Sequence, residues 1–112
     1  MAETAETLAA RLASGLRLLR DGRASEAAVE LEIVCRDPDL AGAQDMRDVR
    51  ARAMSLLAQA LWKSGRADEA LPYLEAGLRL ARALGDVEGT QEIETLRQQI
   101  RDAAGLRPQD RP

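Results

Sequence analysis

The chain repeats itself, and this constrains its fold more than any single residue does. Gly22-Arg23-Ala24-Ser25-Glu26-Ala27 returns 43 residues later as Gly65-Arg66-Ala67-Asp68-Glu69-Ala70. At the same offset Ala10 aligns with Ala53, Leu18 with Leu61, Leu31 with Leu74 and Glu32 with Glu75. The match lies on both sides of the glycine, so the repeating unit is larger than a shared turn. A unit of that size gains a continuous core by stacking on a copy of itself.

Each copy reads as helix, tight turn, helix. Leu8, Leu12, Gly15, Leu16 and Leu19 recur at steps of three and four, the spacing of one helical face. Gly22 can adopt the left-handed conformation that closes such a helix, and Ser25 with Glu26 offers a cap-like, acidic start to the next. That second helix carries Ala27, Val29, Leu31, Val34 and Cys35 and is expected to end near Asp37-Pro38. In the second copy Val49, Ala53, Leu56, Leu57, Ala60 and Leu61 mark the opening helix, with a start as early as Asp45 and an end at Ser64-Gly65. Its partner is expected from about Asp68, with Leu71, Leu74, Leu78 and Ala81 on one stripe and Pro72 close to the first turn. Leu84-Gly85-Asp86 ends it. A fifth helix follows with Thr90 as N-cap, an Ile93, Leu96 and Ile100 stripe, and Gly105 as its end. The expectation is one all-α domain of about five helices over residues 1–105, followed by a disordered polar tail over 106–112.

Composition supports helix on helix. The apolar 46% comes mostly from Ala and Leu, with no Phe, one Tyr and one Trp, so the β-branched and aromatic residues that strands prefer are scarce. The formal charge is −3, and the basic residues are interleaved with acids, which gives no basic stripe for a nucleic acid. The first six residues are acidic where a signal peptide would be basic, and no apolar run approaches the roughly 20 residues of a membrane span. A soluble cytoplasmic chain is the expectation. The dominance of Arg over Lys, beside abundant Ala, fits a GC-rich bacterial genome.

Catalytic chemistry has little to work with. The chain contains no His, which removes the commonest general base and metal ligand. Cys35 is alone, sits at a core-facing step and has no imidazole to activate it, so it reads as a structural thiol. No phosphate-cradling glycine motif occurs. The acids fall beside arginines at helical spacing, as Glu32 does with Arg36, which describes a solvated helix face. These residues imply no enzyme, no cofactor and no metal.

The repeating residues resemble the tetratricopeptide repeat, a pair of antiparallel helices whose small and large residues alternate so that neighbouring pairs stack. The resemblance falls on Gly15, Leu18, Ala27 and Leu31 in the first copy and on Leu57, Ala58, Leu61, Ala70, Leu74 and Gly77 in the second. It covers Leu8 to Gly85, with the last helix as the cap. Arg11 and Met54 stand where the family has a large aromatic, the closing proline is displaced to Pro38 in one copy and absent near Arg82 in the other, and the period exceeds the family's usual length of about 34. The segment from Pro38 to Asp48 is therefore extended. The resemblance implies antiparallel helix-turn-helix repeats stacked as a short right-handed superhelix. It also implies a concave groove lined by the first helix of each pair.

Carried over by position, that groove consists of Leu12, Leu16, Leu19 and Arg20 in the first copy and Arg52, Ser55, Gln59, Trp62 and Lys63 in the second. Leu12 and Leu16 stand where carboxylate-clamping members have Lys and Asn, so that clamp is missing. An apolar half beside a basic, amide-bearing half implies an adaptor or scaffold that takes an amphipathic helix or an extended peptide with an acidic end. Trp62 has two readings, packing beneath the fifth helix against Ile93 or Leu96 and anchoring a partner. Because two repeats are fewer than a stable array usually needs, the alternative is a homo-oligomer in which two chains complete one core through Leu8, Leu12, Leu16 and Leu19.

Overall fold

A computed structural model describes residues 5–37 and 47–103. These form five helices: α1 (Ala5–Arg20), α2 (Ala24–Arg36), α3 (Arg47–Lys63), α4 (Ala67–Ala83) and α5 (Val87–Ala103). Among the described residues there is no strand, as the absence of any period-2 stretch predicts. The extension expected from Pro38, the start at Asp45, the closure at Gly105 and the tail over 106–112 lie outside the described residues.

The three tight turns use one device. Gly22, Gly65 and Gly85 have φ of 77°, 83° and 71°, the left-handed region that a side chain disfavours. In the first turn the N–H of Gly22 donates to Leu19 C=O at 3.1 Å and that of Arg23 to Leu18 C=O at 2.8 Å. The second turn repeats this with Gly65 to Trp62 at 3.0 Å and Arg66 to Leu61 at 2.8 Å. The third does so with Gly85 to Arg82 at 3.1 Å and Asp86 to Ala81 at 3.0 Å. This paired bonding satisfies carbonyls that a helix end would otherwise leave open. Each turn reverses the chain, so α2 runs against α1, and α4 runs against both α3 and α5.

Helix starts differ from the sequence expectation. The helices α2 and α4 begin at Ala24 and Ala67, placing Ser25 and Asp68 inside them, and neither cap residue, Arg23 or Arg66, makes a side-chain cap bond. An arginine instead folds over the first turn onto the glutamate three residues on, Arg66 Nε donating to Glu69 Oε2 at 2.7 Å and Arg23 Nε to Glu26 Oε1 at 2.9 Å. The α5 cap is Asp86, not Thr90: its Oδ1 accepts the Gly89 N–H at 2.9 Å. Pro72 is the sixth residue of α4, beyond the first turn, where it withholds a donor from a backbone that stays helical around it.

The core runs through all five helices. Leu31, Val34, Leu57, Leu74, Leu78 and Ile100 are its largest fully buried side chains. Small residues set the helix spacing: Ala27, Ala58 and Ala70 have no exposed surface. At Gly15 a Cβ would meet Leu31 Cγ at 2.6 Å, so the buried Leu31 side chain of α2 occupies the space that a side chain at position 15 would need. A smaller cluster of Leu8, Val34 and Ala53 ties the start of α1 to α2 and α3. Val29, one of the apolar residues that mark α2 in the sequence, is 60% exposed. Successive helices pack against each other, and contacts also run from α1 to α3 and from α3 to α5, so the odd-numbered helices share one side of the molecule.

Candidate functional site

The side of the molecule formed by the odd-numbered helices holds a groove of about 800 Å³ between α3 and α5. Asp48, Arg52, Ser55 and Gln59 line it from α3, and Glu88, Gln91, Glu92, Thr95 and Gln99 from α5. These sets arise from helical periodicity, since steps of three and four keep residues on one face over about 16 Å of axis. The floor is apolar, with Leu56 and Ile93 buried and Leu96 half-buried. Asp86, the cap of α5, closes one end.

The groove is polarised along its length. Because α3 and α5 run in the same direction, Asp48, Asp86, Glu88 and Glu92 gather at their N-terminal end with Arg52, while Ser55, Gln59, Thr95 and Gln99 occupy the other end. None of these side chains except Asp86 bonds to another described residue. Elsewhere, three glutamates that face a neighbouring helix are matched by arginines. Glu30 accepts from Arg11 at 2.9 Å, Glu75 pairs with Arg97 at 3.1 Å and Arg101 at 3.4 Å, and Glu94 pairs with Arg82 at 3.2 Å.

Of the nine positions carried over from the sequence, the groove brings together Arg52, Ser55 and Gln59. Leu12 and Leu16 are half-buried and pack against the main core, and Leu19 is buried within it. Trp62 is also half-buried against that core and does not line the groove. Arg20 and Lys63 are the exposed last residues of α1 and α3, beside the glycine turns. The entire α5 wall escaped sequence reasoning. Its signal was available in the polar steps of four, Glu88 to Glu92 and Gln91 to Thr95 to Gln99, which occupy the side of α5 not taken by Ile93 and Ile100.

Cys35 is a free, half-buried cysteine on α2. Burial is the main cause that pushes its thiol up to about 12, opposed by the nearby Arg50 guanidinium and aided by the Glu32 carboxylate. Among the described residues no three His, Cys, Asp or Glu side chains converge as metal ligands, and no helix is long and apolar enough to cross a membrane. Compared with protein-family models, with curated proteins and with solved structures, the chain matches none.

Proposed function

We infer that this chain is a non-catalytic interaction module of the tetratricopeptide type, and that it holds a segment of a partner protein in the groove between α3 and α5. One observation carries the reading: a concave surface with an apolar floor is walled by polar side chains that, apart from Asp86, bond to no other described residue. Pockets that bind combine apolar walls with a few free polar groups in this way. A groove between parallel helices suits a helix or an extended peptide. The absence of His and the raised pKa of the Cys35 thiol support binding over catalysis.

Affinity capture from the source cells tests it. The Ser55→Arg and Gln59→Arg variants fill the groove and should each lose a partner that wild type retains. Arg79→Glu, on the exposed face of α4, should keep it. A partner lost on Arg79→Glu and retained by both groove variants would move the site to the outer helices.

A second reading is self-assembly. Val29 and Ile33, one turn apart on α2, are 60% and 38% exposed beside a shallow depression lined by Glu32, Arg36 and Asp37. This pair takes the place of the α1 leucines, of which Leu8 and Leu19 are buried and Leu12 and Leu16 half-buried. Sedimentation at micromolar concentration separates the readings: a monomer supports the first, and a dimer that Ile33→Glu dissolves supports the second.

A further inference from the structure

We propose that the segment this groove accepts is basic, a peptide stretch that places Lys or Arg against Glu88, Glu92 and Asp48 and lays its amides along Ser55, Gln59, Thr95 and Gln99. The proposal rests on the groove being the binding site, and it reverses the acidic end expected from the α3 residues alone. Arg52 and Lys63 gave that expectation, but Lys63 lies outside the groove and Arg52 shares it with four carboxylates.

The helix ends do not cancel this charge. The α3 and α5 N-termini both open toward the acidic end, and each contributes about half a positive charge. Together they offset about one of the three net negative charges. Asp86 is partly committed to capping α5, and Asp48 and Glu88 lie in first turns where an acid is favourable. Glu92 is the sixth residue of α5, too far along the helix to serve its start, yet it faces the same groove.

The pairing pattern supplies an independent argument. Glu30, Glu75 and Glu94 each meet an arginine of the adjoining helix. Arginines are abundant in this chain, yet on α5 Arg97 and Arg101 turn to Glu75 of α4, and none crosses the groove to Asp48. Glu88 and Glu92 receive no cation from α3, and Arg52 pairs with neither. A concave surface with a net negative charge at one end and unbonded amides at the other is complementary to a cationic segment.

A phage-displayed library of random peptides of about 12 residues, the length of three helical turns, tests this without a known partner. Selection on wild type should enrich Lys and Arg over Asp and Glu. The affinity of the best recovered peptide, read by fluorescence anisotropy, should fall about five- to tenfold in Glu88→Gln/Glu92→Gln and weaken with added salt. Asp21→Asn/Asp68→Asn removes the same charge away from the groove and should change affinity less than about twofold. Circular dichroism confirms that both variants fold. Equal losses in the two variants would reduce the effect to net charge and overturn the proposal. Acidic peptides that bind and are lost on Arg52→Glu would overturn the basic assignment while leaving the groove standing. Recovery of no peptide sensitive to Ser55→Arg would overturn both.

Discussion

In the first hairpin α1 buries Leu8, Gly15 and Leu19, whereas in the second the corresponding helix α3 buries eight residues from Ala51 to Leu61. The turns that follow these helices are nearly superimposable in φ and in hydrogen bonding. Turn geometry therefore follows from local sequence, while burial follows from place in the stack. The α1 helix lies at an end and rests mainly on α2; α3 has α2 and α4 against it and α1 and α5 alongside. Equivalent residues serve different ends as a result. Leu12 and Leu16 correspond to Ser55 and Gln59; the leucines pack against the core, and the polar pair lines the groove. Glu32 pairs with Arg36 within its own helix at 2.6 Å, whereas its counterpart Glu75 ties α4 to α5.

The largest effects should come from Leu31→Ala and Leu74→Ala, each costing about 2 to 5 kcal/mol in chemical denaturation because both side chains are fully buried. The hairpins should then separate in a double-mutant cycle. Gly15→Ala on the Leu31→Ala background should recover part of the loss, since the added methyl enters space that Leu31 vacates. Additive losses would mean that Gly15 and Leu31 do not meet as described.

A smaller effect, about 1 to 3 kcal/mol, is expected for Ala27→Leu and for Ala70→Leu, where extra methylenes must force paired helices apart. Unchanged midpoints for either variant would break the equivalence of the two hairpins. The smallest test sets two glycines against each other. In wild type Gly15→Ala should destabilise, because the new Cβ collides with the fully buried Leu31. Gly77→Ala should be neutral or stabilise by up to about 1 kcal/mol, since its nearest neighbour, Met54 Cβ at 3.4 Å, is in ordinary contact and alanine favours the helix. Thermal melts that show the same sign for both would contradict the difference in packing at the two glycines.

The hairpins were legible in the sequence because their signals are local. A glycine after an apolar stripe demands positive φ, and steps of three and four identify a face. Helix starts were less legible. Ser25, Asp68 and Thr90 have the side chains of caps, but the turn bonding of the glycine motif fixes where the chain re-enters a helix, before each of them. In the groove, Arg52, Ser55 and Gln59 could be found by periodicity within α3. The α5 wall could not be joined to them, because no spacing along the chain reports which faces of two non-adjacent helices meet. The sign of the groove's charge was lost with that wall.

The α3 helix touches each of the other four described helices. Separation of α1 or α5 leaves most of the core in place, but α3 cannot be released unless both hairpins come apart. Amide protons in the middle of α3 should therefore exchange with solvent more slowly than those of α1 and α5, which can open partially at lower free energy; hydrogen exchange measures the order. On the same expectation the α3 wall of the groove is the last to open and the α5 wall yields before it.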